Sequence, residues 1–180
     1  MSTLKFKDIE PFGDKHKKLR AAFSCGSPEL DRYLKQQASQ DIERRACVVY
    51  LLVSEGGKLA GFYTLTQDNI ASEDLPPELI KQLNLPRYER IGASLLGRLA
   101  RDLTYKGKGV GELLLVDALK RSLAMSRQIA SAAVVVDAKD EKAHKFYQDF
   151  GFIPFPESRK RLFLPMVTVE WLYPEMEQKQ

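Results

Sequence analysis

Apolar residues recur along this chain at two spacings, one typical of helices and the other of strands. Ser27 is a candidate N-cap with Pro28 at the first helical position, and Gly151 stands where a helix commonly ends. Helical spacing predicts four helices, over 28–45, 76–83, 110–127 and 141–150. On the first of these, the predicted apolar face consists of Leu30, Leu34, Ala38 and Ile42.

Alternating and continuous apolar runs predict seven strands, over 4–12, 46–54, 59–67, 91–101, 129–136, 152–155 and 162–169. The segment Glu55-Gly56-Gly57-Lys58 has the composition of a hairpin turn between the second and third strands. This order of elements predicts an α/β fold, a mixed central sheet with helices on both faces. A length of 180 residues fits one domain, which we place at 1–173, with a polar tail over 174–180 that we expect to fray.

Composition indicates an ordinary globular protein. Hydrophobic residues make up 44% of the chain, and no run approaches the ~20 apolar residues of a membrane span. The charged N-terminus lacks the apolar core of a signal peptide, so we expect a cytoplasmic protein. Cys25 and Cys47 are expected to be reduced and to be buried packing residues. His16 and His144 show no ligand spacing with either cysteine, which predicts no metal site.

Basic residues are clustered rather than evenly spread, at 15–20, 44–45, 87–90 and 159–161. The net charge of +4 is lower than expected for a dedicated nucleic-acid-binding protein. A cationic face of this kind can bind phosphates through counterion release. A solvated surface without a partner is equally compatible with the pattern.

The segment Lys106-Gly107-Lys108-Gly109-Val110-Gly111 is the strongest chemical signal in the chain. It lies between a predicted strand and a predicted helix, so backbone N–H groups and the positive end of the helix converge on one point and favour an anion such as phosphate. The Walker pattern does not fit this segment. The dinucleotide fingerprint also fails, because Glu112 stands where a third glycine is required.

A basic residue followed by x-x-Gly-x-Gly resembles the acetyl-CoA pyrophosphate loop of the GNAT N-acetyltransferase superfamily. Lys106 replaces the usual glutamine or arginine, which keeps a cation but loses the planar fork. A second motif, Ala-x-x-Phe-Tyr-x-x-x-Gly-Phe, resembles the second cofactor helix of the superfamily and comprises Ala143, Phe146, Tyr147, Gly151 and Phe152. With both motifs in order, the chain is identified as a GNAT member, and its element order agrees with the GNAT acyl-CoA N-acyltransferase fold.

The rest of the chain resembles one branch, the GNAT toxins of bacterial type II toxin–antitoxin systems. The resemblance rests on Phe23-Ser24-Cys25, Leu30-Asp31-x-Tyr33-Leu34, Gly61-Phe62-Tyr63-Thr64-Leu65, Leu96-Gly97-Arg98-Leu99-Ala100 and Val135-Val136-Asp137-Ala138-Lys139-Asp140. In that branch the strand before the glycine loop often reads Gly-Arg-Leu-Ala-Val-Asp, and Arg101 stands here in place of the valine.

The resemblance implies that the chain acetylates the α-amino group of an aminoacyl-tRNA, which stops translation. It also implies an antitoxin that carries a ribbon-helix-helix DNA-binding domain and a flexible tail. The joint complex would bind operator DNA and repress its own operon, and the toxin would be a homodimer.

The resemblance further implies roles for individual residues. Tyr147 would be the general acid that protonates the departing thiolate, and a backbone N–H near Leu99 would polarise the thioester carbonyl. The free α-amino group, with a pKa of ~8, could attack without a strong base. Phe146 is either a cofactor contact or a core aromatic. The expected acetyl-CoA-binding residues are Leu99, Ala100, Arg101, Lys106, Gly107, Lys108, Gly109, Val110, Gly111, Glu112 and Phe146.

Five basic residues are expected to line the path of the tRNA. Arg98 has a competing interpretation, as the ion-pair partner of Asp102 or Asp137. The five are Arg87, Arg90 and Arg98 on one side, and Lys160 and Arg161 on the other.

Two other functions remain open from the sequence. A GNAT enzyme acting on a small amine, an antibiotic or a protein N-terminus would carry the same glycine loop and Tyr147. Only the N-terminal pattern and the basic clusters favour tRNA over these substrates. A binding module that contacts a partner or DNA would not need an intact tyrosine and loop.

Overall fold

The computed structural model describes residues 5–176, and within them seven strands form one sheet. The strands are β1 (Glu10–Pro11), β2 (Val48–Val53), β3 (Leu59–Ala71), β4 (Arg90–Arg101), β5 (Ala133–Asp137), β6 (Ile153–Pro154) and β7 (Arg161–Pro165). Their order is β1-β2-β3-β4-β5-β7-β6. The β4–β5 pair is parallel, whereas β1–β2, β2–β3, β5–β7 and β6–β7 are antiparallel, which confirms the predicted mixed sheet.

The helices of the described residues are α1 (Pro28–Arg32), α2 (Ala38–Glu43), α3 (Pro77–Gln82), α4 (Val110–Ser126), α5 (Glu141–Asp149) and α6 (Met166–Leu172). None of them combines the length and apolar character that crossing a membrane requires. The predicted first helix starts at Pro28, but Tyr33–Gln37 adopts π-helical geometry between α1 and α2. Such turns are rare and are frequent at functional sites.

The chain forms two compact units, each made of two stretches of sequence. In the first, over 5–66 and 97–118, α1, the π-helical turn and α2 pack against one face of the sheet. The predicted apolar face is confirmed, since Leu30, Leu34, Ala38 and Ile42 all contribute to this core. The strand residues of the core are Val49, Leu51, Val53, Leu59, Phe62 and Ala100.

The other face of the sheet in this unit packs against the start of α4. Phe62 belongs to the first core, so its neighbour Gly61 faces the opposite side. A Cβ at Gly61 would lie 2.7 Å from Cδ1 of Leu114 and 2.8 Å from the carbonyl oxygen of Ala100. Helices therefore cover both faces here, as predicted.

Replacing Gly61 with alanine is expected to destabilise the protein by about 1–3 kcal/mol, because the Ala100 carbonyl cannot move aside as a flexible side chain can. Urea denaturation of purified variants measures this effect. Gly56→Ala is the matched control, since a Cβ there would meet only Oγ of Ser54 at 3.9 Å. Equal denaturation midpoints for the two variants would contradict the expected packing.

The second unit, over 67–96 and 119–176, has its own core on α3 and the adjoining strands. The parallel β4–β5 register runs from Ala93 opposite Ala133 to Leu96 opposite Val136. The buried members of this core come from β3, β4, β5, β7 and the flanking loops, namely Ile70, Leu75, Leu85, Ile91, Ala93, Ala133, Val135, Phe155 and Phe163.

Several predicted strands have the wrong extent, and the one predicted over 59–67 continues to Ala71. Of the strand predicted over 4–12, residue 4 lies outside the described residues, Phe6 forms a single bridge with Ser54, and only Glu10–Pro11 is a strand. The strand predicted over 129–136 begins at Ala133, because the exposed Ile129 belongs to the turn after α4. The strand predicted over 152–155 is reduced to β6.

The C-terminal region contains a helix that the apolar pattern assigned to a strand. The strand predicted over 162–169 ends at Pro165, and the following residues form α6, since a short apolar run fits either element. Residues 174–176 form a turn instead of fraying. Lys120 pairs with Glu175 at 2.9 Å, and Arg127 donates to the carbonyl oxygen of Met176 at 2.8 Å. Residues 177–180 lie outside the described residues.

Candidate active site

The glycine loop connects β4 to α4 in an open conformation. Gly107 and Gly109 have φ values of +72° and +73°, in the left-handed region that favours glycine. A Cβ at either position would contact nothing within 4 Å. The first helical bond joins the Leu113 N–H to the Gly109 carbonyl at 3.0 Å, so the N–H groups of the first turn of α4 have no helical acceptor. The exposed Lys106 and Lys108 add positive charge.

Asp102 anchors the turn that leads into this loop. Its carboxylate accepts the Ser24 and Thr104 N–H groups, each at 2.9 Å. Burial opposes ionisation, but these hydrogen bonds hold the pKa of Asp102 below its usual value. The Leu103 N–H also donates to the Ser24 carbonyl at 2.9 Å, so the start of the turn is tied to the loop before α1.

The last residues of β4 alternate regularly between the two faces of the sheet. Arg98 contacts Tyr33, Ala100 lies in the same core as Tyr33, and Asp102 bonds to Ser24, which follows core residue Phe23. These three side chains therefore share one face, and the two residues between them face the other.

The same alternation determines where the backbone groups point. The Asp102 N–H donates to the Ala60 carbonyl of β3 at 2.8 Å. The N–H and C=O groups of Leu99 and Arg101 therefore point to the edge away from β3. The β4–β5 pairs end at Leu96 and Val136, so Leu99 and Arg101 follow the last paired residue of β4. Their backbone groups can pair with an added ligand.

Helix α5 holds its tyrosine in a defined position. Asp140 caps the helix by accepting the Ala143 N–H at 2.8 Å, and Gly151 follows its end with a φ of +92°. Both helix ends agree with the sequence prediction.

Tyr147 is buried among aromatic rings, with only 7% of its surface exposed. The ring centroids of Phe146 and Phe152 lie 5.3 Å and 5.4 Å away. Its hydroxyl hydrogen-bonds to no described residue. Burial raises the pKa of Tyr147 above its usual value near 10, so the hydroxyl stays protonated when an amine of pKa ~8 is neutral. Phe146 is half-buried and also contacts Phe150, which fits a packing role.

Arg98 contacts an aromatic ring and not a carboxylate. Its guanidinium carbon lies 3.7 Å from the ring centroid of Tyr33, a residue of the π-helical turn. Neither Asp102 nor Asp137 pairs with it, so the competing ion-pair interpretation is wrong. The Tyr33 hydroxyl lies 3.2 Å from Sγ of Cys47, and burial raises the pKa of Tyr33.

The contact between Tyr33 and Arg98 was not predicted from the sequence. Tyr33 belongs to the Leu30-Asp31-x-Tyr33-Leu34 pattern, which was assigned no chemistry. The sequence signal that could have indicated it is the pair Asp31 and Tyr33, whose side chains carry polar groups and lie beside the apolar face of the helix. Asp31 accepts the Cys25 N–H at 2.8 Å, which braces the start of the same helical region.

The remaining residues predicted to line the tRNA path differ in their contacts. Arg161 pairs with the carboxylate of Asp68, so its charge is locally neutralised. Arg90 donates to Oδ1 of Asn69 at 2.9 Å, an uncharged acceptor, and keeps its charge. Arg87 and Lys160 are exposed.

The two cysteines are half-buried instead of buried, and both pack against the first core, as expected of packing residues. Cys47 lies at the Tyr33 hydroxyl. Within residues 5–176, no group of three histidine, cysteine or acidic side chains is placed to hold a metal ion.

Comparison with known proteins groups this chain with one family. The model of the Acetyltransferase (GNAT) family matches residues 16–152. A probable toxin TacT of Sinorhizobium fredii (strain NBRC 101917 / NGR234) is 32% identical over 172 residues, covering 91% of this chain and 93% of that protein. A tRNA-acetylating toxin of Mycobacterium tuberculosis (strain ATCC 25618 / H37Rv) is 32% identical over 145 residues, covering 81% and 84%.

Solved structures share the fold along nearly the whole chain. AtaT complexed with acetyl-methionyl-tRNAfMet is 29% identical with a TM-score of 0.83, covering 94% of this chain and 99% of that one. A tyrosine-to-phenylalanine mutant of AtaT, bound to the C-terminus of the antitoxin AtaR and acetyl-CoA, is 25% identical with a TM-score of 0.76, covering 94% and 99%.

Proposed function

Since this chain belongs to the acetyltransferase (GNAT) family, we propose that it is the toxin of a type II toxin–antitoxin system. The chain is an acetyl-CoA-dependent N-acetyltransferase. Its acceptor is the α-amino group of an aminoacyl-tRNA, and an acetylated aminoacyl-tRNA cannot be used in elongation. The observation that carries this proposal is 32% identity to a tRNA-acetylating toxin over 81% of the chain.

Two features of the structure support acetyl-CoA binding by these residues. The open glycine loop presents N–H groups at the start of α4, which suits a pyrophosphate. The backbone groups of Leu99 and Arg101 point away from β3, which suits the amide-bearing pantetheine arm. The other expected cofactor contacts, Ala100, Glu112 and Phe146 among them, remain predictions.

Acetyl-CoA supplies an acetyl thioester, whose transfer to an amine releases the CoA thiol. The Leu99 N–H would donate to the acetyl oxygen and stabilise the negative charge that develops on it. The substrate amine needs no strong base, because its pKa of ~8 leaves a neutral fraction at pH 7. The Tyr147 hydroxyl, kept protonated by burial, would donate its proton to the departing sulfur, and the proton lost by the attacking amine would pass through water to restore the tyrosine.

In this proposal, positively charged side chains bind the phosphates of the tRNA. Arg98 hydrogen-bonds to no described residue, and its stacking on Tyr33 leaves the donor edges of the guanidinium for phosphates. Arg87, Arg90 and Lys160 contribute charge along the same path. Arg161 contributes less than its sequence position predicts, because Asp68 already pairs with it.

Arg98→Met is expected to raise the KM for aminoacyl-tRNA about tenfold, the effect of losing about one charge-assisted phosphate contact. The KM for acetyl-CoA should not change. Tyr33→Leu should reproduce part of this loss, because it removes the ring beneath the guanidinium. Tyr33→Phe should not, because the ring remains. Steady-state kinetics with both substrates measures these values.

Arg44→Met is the control for Arg98→Met, since it removes one exposed positive charge elsewhere on the protein. Similar KM values for aminoacyl-tRNA in the two variants would mean that Arg98 acts only through net charge.

The proposed partners follow from the toxin assignment. We expect a ribbon-helix-helix antitoxin, operator DNA bound only by the joint complex, a homodimeric toxin and a cytoplasmic location. We also expect one GNAT domain over 1–173 with 174–180 as its tail, because the family match at 16–152 spans residues of both compact units.

Cell-free translation with the purified protein, with and without acetyl-CoA, tests the proposal. We expect arrest only with acetyl-CoA, and mass analysis of the tRNA pool should then detect N-acetylated aminoacyl-tRNA. Normal translation and an unmodified pool, from protein shown to bind acetyl-CoA, would contradict the toxin assignment. The substrate would then be sought among small amines and protein N-termini.

A further inference from the structure

Arg101, the last residue of β4, carries a guanidinium that hydrogen-bonds to no described residue. Its Nη1 nitrogen is nevertheless buried. Leaving a cationic donor buried without an acceptor is costly, and such groups in folded proteins are normally paired. An anion beside this buried nitrogen would therefore stabilise the folded protein.

The side of the sheet that Arg101 faces identifies where that partner would lie. Ala100 and Asp102 face the core that contains Tyr33, so the residue between them faces the opposite side. Gly61 faces that same side and meets Val110 and Leu114, at the start of α4. The Arg101 side chain thus leaves the sheet on the side where the glycine loop enters its helix.

Of the carboxylates close to Arg101 in the chain or on α4, Asp102 and Asp117 have other partners and Glu112 is exposed. Asp102 lies on the opposite face and accepts two backbone N–H groups. Asp117 of α4 accepts the Tyr63 hydroxyl at 2.5 Å. Nη1 of Arg101 thus meets no acceptor among the described residues, and a bound anion can supply one.

We propose that the Arg101 side chain binds a phosphate of CoA. The guanidinium fork can take two phosphate oxygens at once, which neither Lys106 nor Lys108 can do. This contact adds to the backbone role of Arg101 on the pantetheine arm. It is particular to this chain, because the valine common at this position in the resembling toxin branch has no charge. It rests on acetyl-CoA dependence and not on the tRNA proposal.

Isothermal titration of three ligands into purified protein tests this proposal. Acetyl-CoA carries the pyrophosphate and the 3′-phosphate, acetyl-dephospho-CoA carries only the pyrophosphate, and acetyl-pantetheine carries neither. The variants are Arg101→Met and Arg101→Lys. Arg159→Met is the control, since it removes an exposed arginine and lowers the net charge equally.

We expect Arg101→Met to weaken acetyl-CoA binding about tenfold or more, and Arg101→Lys to weaken it less. Acetyl-pantetheine binding and the Arg159→Met variant should be unaffected. An equal loss with acetyl-dephospho-CoA assigns the contact to the pyrophosphate, and no loss with it assigns the contact to the 3′-phosphate.

Thermal unfolding provides a second measurement that a purely structural role would not reproduce. Without ligand, Arg101→Met should be at least as stable as the wild type, because an unpaired buried cation is removed. With saturating acetyl-CoA, its gain in Tm should be smaller than that of the wild type. The proposal would be overturned if Arg101→Met bound acetyl-CoA as tightly as the wild type, or if it lost acetyl-pantetheine affinity to the same extent. An effect of Arg101→Met on the KM for tRNA alone would also overturn it.

Discussion

Tyr147→Phe is expected to lower the rate of acetyl transfer by about 10²- to 10⁴-fold, the range for loss of a positioned general acid. The variant should fold and bind acetyl-CoA as the wild type does, because the Tyr147 hydroxyl bonds to no described residue and the ring keeps its contacts with Phe146 and Phe152. Single-turnover kinetics with preformed aminoacyl-tRNA measures the rate of the chemical step, and titration with acetyl-CoA measures binding.

Tyr63→Phe is the matched control, since it removes the same atom from another buried tyrosine. That hydroxyl donates to Asp117, so its loss should reduce stability by about 1.5–3 kcal/mol and leave the rate nearly unchanged. In the wild type, the rate should rise as the amine deprotonates near pH 8. No decrease in rate is expected at pH values up to about 10, because burial raises the pKa of Tyr147 and keeps its hydroxyl protonated. A Tyr147→Phe variant that retains the wild-type rate would remove Tyr147 from the mechanism.

Gly109→Val is expected to weaken acetyl-CoA binding by about 100-fold. A β-branched residue at a φ of +73° is strongly disfavoured, so the loop must change conformation and the N–H groups at the start of α4 lose their common direction. Losing one or two charge-assisted hydrogen bonds, at about 1.5–3 kcal/mol each, corresponds to this change in Kd. Calorimetric titration with acetyl-CoA measures the effect.

Gly57→Val separates this effect from simple backbone strain. Gly57 has a φ of +78° and open space around its Cβ position, but it lies in the β2–β3 hairpin turn. Both variants should lose similar stability, whereas only Gly109→Val should lose acetyl-CoA affinity. Equal affinities would show that the glycine loop does not hold the cofactor.

The elements with strong periodicity or a clear end signal were predictable from the sequence. The β2–β3 hairpin, α4 and α5 have local signals, namely a glycine turn, a long apolar series and a glycine after the last helical residue. The error at α6 has the opposite cause. Its run of apolar residues is too short to distinguish a strand from a helix, and the choice depends on how the chain packs after Pro165.

The candidate site was predictable in part for the same reason. The glycine loop and Tyr147 belong to short motifs, whose resemblance to a known superfamily supplied their roles. The contacts of Arg98 and Arg161 were not predictable, because their partners Tyr33 and Asp68 are distant in sequence. No local pattern indicates which arginine stacks on a ring and which pairs with a carboxylate.

The sequence by itself determined the properties that depend on neighbouring residues: the periods of the main helices and strands, the glycines that permit positive φ, and the motifs that identify the family. Only the tertiary structure decided which charges are paired. It placed Arg98 on Tyr33 and left the buried Nη1 of Arg101 without an acceptor. The physical reason is that a charge interacts with the groups that folding brings near it. The distance between such groups cannot be inferred from the local order of residues.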